Sequence, residues 1–533
     1  MVNRTLIYIG LILSLSIAAC SKDEPPATPY AVEEVPLSQI SADMAAGKTT
    51  SVEVTKTYID RINTYDDALN SVIMIAPDAL DQAAASDARR AAGQILGPLD
   101  GIPILLKDNI DAVGMPTTAG SYAMLENFPA QDSEVAKRLR AAGAVILGKA
   151  NTSQWAGLRT TAAFAGSTVG GGTHNPYDLD RTAAGSSNGS GIASAASLAA
   201  ATVGTDTTGS IMGPSSLMGL VGMRPSIALI SRRGIVPVSL TQDTAGPMTR
   251  TVTDFAIMLN VMAGSDPGDP WSTDADAHKT DYTAGLSTGA LQGVRLGVFR
   301  NTGSVNEETL PLFEEALKVL EAQGAELVEL PDDVLEDTSQ EQRLIMYYDI
   351  KEDMATYLAH APEAVKIRTL ADIIEFNKTD PRESIHGQEH LDAAMALEGG
   401  RQNPEYQKIL EYAQRRAGPE GYGKAFEDYN VSALVTVTRG PASLLEPDGT
   451  VSGGAALERP KGSRPPSISG NAALAGYPNL SVPMGNVEGL PVGLSFVGPK
   501  WSEKDLISFG YAYEQASHKR TPPEAYKQAS KSN

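Results

Sequence analysis

The sequence predicts an α/β fold in which helices cover a central sheet. Residues 133–142 have the composition of a helix, Gly143 ends that helix, and the apolar strand Val145–Leu147 follows. Short apolar runs typical of buried strands recur from "GIPILLKDNID" (101–111) to "PVGLSFVG" (491–498). Because helical and strand-like segments alternate along the chain, they indicate layers of helices packed on a sheet.

Hydrophobic spacing places the other elements. Val54, Tyr58 and Ile62 recur at helical intervals. The sequence predicts helices at residues 51–66, 76–92 and 310–323. It predicts strands at residues 293–299, 325–330, 432–437, 479–484 and 491–498. From about residue 265 to residue 420 the chain is charged, helical and less patterned, which favours a peripheral cap that shapes access to a site.

Composition limits the classes of protein to consider. The chain has 533 residues, 42% of them hydrophobic, which is enough for a large core. Its formal net charge of -21 argues against a nucleic-acid partner, because the positive surface that binds phosphates is missing. An acidic surface of this kind mainly promotes solubility.

The N-terminus has the features of an export signal. Arg4 precedes a short apolar run that ends at Cys20, the only cysteine. The last residues of that run, "IAAC", are similar to the lipobox of bacterial lipoproteins, which predicts a signal peptide at 1–19 and a lipidated Cys20. Since Ser21 is not aspartate, we expect an exported, periplasmic protein anchored by Cys20 alone to the outer membrane of a Gram-negative bacterium. The alternative is an ordinary signal peptide with a chance cysteine.

The residues after Cys20 and those at 182–210 differ in character. Residues 20–35 are rich in proline and acidic residues and are expected to form a flexible tether. Residues 182–210 consist almost wholly of Gly, Ala, Ser and Thr, but Ile192 and Leu198 interrupt them. A Gly/Ser linker is polar throughout, so this segment is expected to form a packed helix followed by a strand.

Two short motifs suggest competing chemistries. "GSSNG" matches the nucleophile elbow of α/β-hydrolases, with Ser187 as nucleophile, although no downstream histidine stands in a convincing loop. "HGQEH" matches the H-x-x-E-H spacing of a zinc peptidase, with His386 and His390 as ligands and Glu389 as base. Both patterns are short enough to arise by chance.

A third arrangement uses a lysine as base. Lys107 lies at the polar end of an apolar strand, where burial would lower its pKa toward neutrality. Ser186 and Ser210 could complete a proton relay. The turn "GTDTTGS" before Ser210 could supply backbone amides to an oxyanion.

Several ordered blocks resemble the amidase signature family of Ser-Ser-Lys hydrolases. They include "GPLDGIPILLKDNIDAVGMPTTAGS", "LRAAGAVILGKANTSQWA", "AAGSSNGSGIASAASLAAATVGTDTTGS" and "AGYPNLSVPMGNVEGLPVGLSFVG". The resemblance implies a central mixed, twisted sheet with helices on both faces and a helical cap. It implies one catalytic domain at 36–525, with a variable cap-like region at 265–420.

The resemblance also implies roles for individual residues. Ser210 would be the nucleophile, Ser186 the bridging serine beside a cis peptide bond, and Lys107 the general base. The oxyanion amides would come from Thr207, Thr208, Gly209 and Ser210 itself, and structural support from Gly185, Ser187 and Asp206. Gln154, Trp155 and Met212 would line the substrate pocket. No metal and no organic cofactor is required.

The expected reaction is hydrolysis of a carboxamide with release of ammonia. Met212 stands where most family members have arginine, which points away from the glutamine-handling tRNA amidotransferase subunits. "SIMGP", "QDTAGPM" and "RTLADIIEFN" (368–377) are similar to bacterial peptide amidases. The substrate is therefore expected to be a peptide amide or a similar small amide. A lipoprotein that binds peptides without catalysis is the alternative, because fold does not guarantee chemistry.

Overall fold

An eleven-stranded mixed sheet organises the part of the chain that the computed structural model describes, residues 29–160, 164–451 and 465–526. The described residues form eleven strands in this sheet and two outside it. In chain order the strands are β1 Val72–Ile75, β2 Pro103–Lys107, β3 Val145–Ala150, β4 Gly166–Ser167, β5 Gly171–Gly172, β6 Ala201–Asp206, β7 Val221–Arg224, β8 Thr244–Thr249, β9 Arg295–Val298, β10 Glu326–Glu329, β11 Ala433–Arg439, β12 Asn479–Val487 and β13 Leu490–Val497. Their order is β1-β3-β2-β6-β8-β7-β12-β13-β11-β9-β10, while β4 and β5 form a separate short ladder.

Helices flank this sheet, as the sequence predicts. They are α1 Leu37–Ala45, α2 Ser51–Tyr65, α3 Ala79–Ala91, α4 Glu134–Ala141, α5 Asn188–Ala195, α6 Met212–Leu217, α7 Val252–Met262, α8 Ala275–His278, α9 Leu310–Ala322, α10 Ser339–Leu358, α11 Leu370–Thr379, α12 Glu389–Ala396, α13 Pro404–Ala417, α14 Lys424–Asp428, α15 Ile468–Ala475 and α16 Glu503–Ser517. Strand β2 pairs in parallel with both β3 and β6, whereas β6 pairs antiparallel with β8. Strands β2 and β6 therefore lie side by side and both run toward the site described below.

The small-residue segment is a packed interior element and not a linker. All eight residues of α5 are buried. A Cβ atom on Gly191 would lie 3.1 Å from both Met218 and Pro214, so α5 approaches the α6 region more closely than larger side chains permit. Strand β6 follows α5 and is buried along its whole length.

The cap is smaller than the predicted region 265–420. Strands β9 and β10 fall inside that range, yet they extend one edge of the main sheet. Helices α10, α11 and α12 form the cap. Ile350, Met354, Ile373 and Leu391 of these helices pack in a hydrophobic cluster that the cap shares with residues of the main domain. The sequence did not separate the two, because strands at the side of a sheet and cap helices can both be charged and weakly patterned.

The predicted tether ends earlier than residue 35. Val32 is fully buried, and the Tyr30 amide donates to Glu53 Oε1 at 3.1 Å. The Glu34 amide donates to Ser197 Oγ at 3.1 Å. These contacts attach residues 30–34 to the domain. Residues 1–28, with the predicted signal peptide and Cys20, lie outside the described residues. None of the helices in the described ranges has the length and apolar character that a membrane crossing requires.

Candidate active site

Lys107 is the last residue of β2 and is fully buried. Its Nζ lies 2.7 Å from Ser186 Oγ and 2.8 Å from Thr205 Oγ1 on the neighbouring strand β6. Asn109 Nδ2 also donates to Thr205 Oγ1, at 3.0 Å. The parallel pairing of β2 and β6 thus brings Lys107 and Thr205 together at one edge of the sheet.

Burial changes the protonation of this lysine. It lowers the pKa of Lys107 from 10.5 to about 7, because a charged amine loses its hydration inside the protein. The negative charges of Asp206 and Asp243 oppose this change without cancelling it. A substantial fraction of Lys107 is therefore uncharged near neutral pH, as a lysine base requires.

Ser186 is fixed through its backbone. The peptide bond between Gly185 and Ser186 is cis, as expected. The Ser186 carbonyl accepts hydrogen bonds from the Ser153 amide at 3.0 Å and from Thr152 Oγ1 at 3.1 Å. A Cβ atom on Gly185 would lie only 2.5 Å from Ser153 Oγ, so a side chain at this position would force the Ser153 hydroxyl to move.

Asp206 braces the turn that carries Ser210. This buried carboxylate accepts from the Gly209 amide at 2.9 Å and from the Ile211 amide at 2.7 Å. Arg224 Nη1, also buried, donates to Asp206 Oδ1 at 2.9 Å. The contacts agree with the structural role expected for Asp206. The Gly209 amide already donates to Asp206, however, whereas the prediction has it donating to the oxyanion.

Ser187 has a structural environment. It is fully buried, and its Oγ donates to the Thr205 carbonyl at 2.9 Å and accepts from the Thr205 amide at 3.2 Å. The Ser187 amide donates to the Ser210 carbonyl at 3.2 Å. These bonds join the two serine-bearing loops. Because the Ser187 hydroxyl is already paired on both sides, the nucleophile-elbow interpretation of "GSSNG" does not fit.

One cavity contains both candidate catalytic serines. It has a volume of about 390 Å³, and its polar lining includes Ser186, Thr208, Ser210, Arg159, His386 and Arg439. Of the three predicted pocket residues, only Gln154 lines it. Trp155 packs in the hydrophobic cluster of the cap, and Met212 is buried in α6. Both side chains are therefore buried away from the described lining of the cavity.

Glu383 connects the cap to the wall of this cavity. Its buried carboxylate forms an ion pair with Arg159 and accepts from Gln154 Nε2 at 2.8 Å. It also accepts from Ser121 Oγ at 3.0 Å and from the Tyr122 amide at 2.7 Å. Sequence reasoning missed Glu383, because a single glutamate in an acidic chain carries no local signal. Sequence reasoning also missed Arg159 and Arg439, because nothing in the neighbouring sequence shows that either arginine faces the cavity.

The two histidines of "HGQEH" have separate surroundings. His386 lines the cavity, with its ring 4.2 Å from that of Phe164, whereas His390 Nδ1 lies 2.5 Å from the Tyr347 hydroxyl. Within the described ranges, no group of three or more His, Cys, Asp or Glu residues is arranged to hold a metal ion. The zinc-peptidase interpretation therefore does not fit this arrangement.

The fold and the site place a buried lysine beside Ser186 at the end of β2, and place Ser186 and Ser210 on one cavity. This arrangement is typical of a serine hydrolase that uses a lysine as base. A family model described as Amidase matches residues 53–507. The chain belongs to the amidase family, whose members hydrolyse amide C–N bonds. This result confirms the predicted family, fold and enzyme class.

Relatives and solved structures match over nearly the whole chain. "Probable amidase At4g34880" from Arabidopsis thaliana is 33% identical, with 97% of this chain and 96% of that protein covered. The native peptide amidase from Stenotrophomonas maltophilia is 40% identical with a TM-score of 0.85, covering 92% of this chain and 99% of the other. An amidase family protein from Bacillus anthracis str. Ames is 33% identical with a TM-score of 0.81, covering 92% and 93%.

Proposed function

We propose that this amidase cleaves primary carboxamides, either the C-terminal amides of peptides or similar small amides, and releases ammonia. The observation that carries the proposal is the 2.7 Å contact between the buried Lys107 amine and Ser186 Oγ, in a protein where Ser186 and Ser210 line one cavity. A lysine that is partly uncharged at neutral pH can accept a proton from that hydroxyl.

The first chemical step uses both serines. Neutral Lys107 accepts the proton of Ser186 Oγ, and Ser186 Oγ accepts the proton of Ser210 Oγ. Ser210 Oγ then attacks the carbonyl carbon of the amide. The hydrogen bond from Lys107 to Thr205 Oγ1 orients the amine, because a second partner restricts its rotation.

The turn before Ser210 stabilises the negative charge that develops on the carbonyl oxygen. With the Gly209 amide bonded to Asp206, we assign this role to the backbone amides of Thr207, Thr208 and Ser210. Thr207 is anchored by a bond from its Oγ1 to Asp243 Oδ1 at 2.6 Å. The donors are thus held in position before the substrate binds, so no reorganisation is needed during the reaction.

The second half of the reaction reverses the relay. The proton held by Lys107 returns through Ser186 to the leaving nitrogen, the C–N bond breaks, and ammonia departs. Water then gives a proton to the same relay and attacks the acyl group on Ser210. The acid product leaves, and Ser210 regains its proton.

The preference for peptide amides rests on similarity and on the shape of the cavity. The solved structure that is 40% identical is described as a peptide amidase. A cavity of about 390 Å³ lies in the range for small-molecule sites, which suits the terminal residues of a peptide.

Ser210→Ala is the direct test. We expect ammonia release from a peptide amide to fall about ten-thousandfold or more, because the nucleophile is lost. Labelling by a fluorophosphonate, which reacts with activated serines, should disappear as well. Ser287→Ala, in an exposed loop, is the control and should retain both. A Ser210→Ala variant that keeps its rate, or a wild-type protein that is never labelled, would favour the peptide-binding alternative.

We also propose that the protein is exported and lipid-anchored through Cys20. The support is the sequence alone: Arg4, the apolar run and "IAAC". Growth with an alkyne-labelled fatty acid should mark the wild-type protein and leave Cys20→Ala unmarked. Equal marking of the two, or of neither, would contradict the anchor.

A further inference from the structure

Arg439 stands at the junction of two cavities. It is the last residue of β11, and its side chain lines the cavity that contains Ser186 and Ser210. It also lines a neighbouring cavity of about 310 Å³. Thr208, in the turn before the nucleophile, borders both spaces too. Arg439 is therefore placed to contact a ligand on either side of that turn.

The guanidinium of Arg439 has no acidic partner among the described residues. It lies against α6, where a Cβ atom on Gly213 would be 3.2 Å from Arg439 Nη1. Loss of hydration lowers the pKa of Arg439, and no carboxylate in the described part of the chain raises it. Arginine nevertheless keeps its charge at physiological pH. A cation that faces a cavity without a counter-ion is ready to bind an anion.

The other ionisable groups in the lining leave this charge unbalanced. Arg159 is neutralised by its ion pair with the buried Glu383. Burial and the nearby charge of Arg159 lower the pKa of His386, so its ring is uncharged at neutral pH. The described residues of the lining thus carry one net positive charge, in a chain whose formal net charge is -21.

We propose that Arg439 binds a carboxylate carried by the amide substrate, and that this enzyme prefers anionic amides. The inference rests on the proposed amidase function. The planar guanidinium can donate two parallel hydrogen bonds to one carboxylate, which orients the substrate as well as attracting it. Because the leaving group of a primary carboxamide is ammonia, this carboxylate belongs to the acyl part of the amide.

One pair of substrates tests this preference. The pair is N-benzyloxycarbonyl-glutamic acid α-amide and its γ-methyl ester, of which only the first carries a negative charge on the acyl side. We expect wild-type kcat/KM to be at least about tenfold higher for the anionic member of the pair.

Arg439→Gln should remove the preference. We expect kcat/KM for the preferred anionic amide to fall about 30-fold or more, while the rate on its neutral ester stays within about threefold. Arg439→Glu should reverse the charge selectivity in favour of N-benzyloxycarbonyl-lysine amide. Arg415→Gln is the control, because Arg415 is an exposed residue of α13.

The outcomes separate this inference from the proposed function. If the wild type is labelled by a fluorophosphonate and cleaves neutral amides, yet does not prefer the anionic amide, only the role of Arg439 is overturned. Equal loss on anionic and neutral amides in Arg439→Gln also overturns it. A wild type without labelling or amide hydrolysis rejects the proposed function itself.

Discussion

The catalytic segment 182–217 and the cap helices α10 to α12 border one site but differ in composition and in how they are stabilised. The catalytic segment is made of small residues, and nearly all of it is buried. The cap is charged and combines buried, half-buried and exposed residues, and it contributes Glu383 and His386 to the site region through long-range contacts. The comparison separates the part of the enzyme that performs chemistry from the part that shapes access.

Space is the limiting quantity in the catalytic segment. A Cβ atom on Gly189 would lie 2.4 Å from the Asn151 backbone nitrogen, and one on Gly204 would lie 2.8 Å from Ser187 Oγ.

The cap depends instead on the pairing of buried charges. Arg401 pairs with the buried carboxylates of Asp349 and Asp353, at 2.9 Å in the first case. Mutations should therefore act on turnover in the first region and on substrate binding in the second.

Among the substitutions that test this comparison, Lys107→Met should reduce catalysis most. We expect kcat/KM to fall about a thousandfold, because the general base is lost. In the wild type, kcat/KM should rise with pH through about 7 and then level off, since only the uncharged amine accepts a proton and the pKa of Lys107 is about 7. Rates measured from pH 5 to pH 9 check this expectation.

The exposed Lys56→Met is the control for Lys107→Met and should keep the wild-type pH profile. A Lys107→Met variant that retains both its rate and the rise with pH near 7 would remove Lys107 from the mechanism. A rise centred far from pH 7 would mean that another group is the base.

Asp206→Asn tests how far the catalytic turn depends on a buried ion pair. We expect the free energy of unfolding to fall by about 3 kcal/mol, because Arg224 is left buried without its counter-ion. Denaturant titration measures this change. Asp428→Asn removes an exposed partner 3.9 Å from Lys424 and should change stability by less than about 1 kcal/mol. Equal effects would contradict the bracing role.

Glu383→Gln tests the cap side and should have the smallest effect. We expect KM to rise about tenfold, equivalent to about 1.4 kcal/mol, because Arg159 loses its ion pair and the cavity wall shifts. The value of kcat should stay within about threefold, since the serines and Lys107 do not contact Glu383. Glu375→Gln, exposed on α11, is the matched control. A large fall in kcat with unchanged KM would place Glu383 in the chemistry instead.

Sequence reasoning was most accurate where local rules apply. Helices α2, α3 and α9 and the sheet strands it named are present, with boundaries that differ by a few residues. The contact between Lys107 and Ser186 and the cis bond before Ser186 match the expectation drawn from family resemblance. Local spacing and ordered motifs constrain these features because neighbouring residues build them.

Errors arose where the deciding contacts are distant in sequence. Trp155 was expected in the pocket but packs in a core shared with the cap. The Gly209 amide was expected to be free, yet it donates to Asp206. Neither side-chain direction nor the use of one amide can be derived from a pattern of residue types.

The sequence by itself determined the family, the layered α/β fold and the lysine and serines proposed for catalysis, because short ordered motifs encode backbone shape and reactive groups together. Only the tertiary structure decided which charges remain unpaired in the cavity. Arg159 meets Glu383 across 224 residues, whereas Arg439 meets no carboxylate in the described part of the chain. Charge balance depends on distances between remote segments, and folding alone sets those distances.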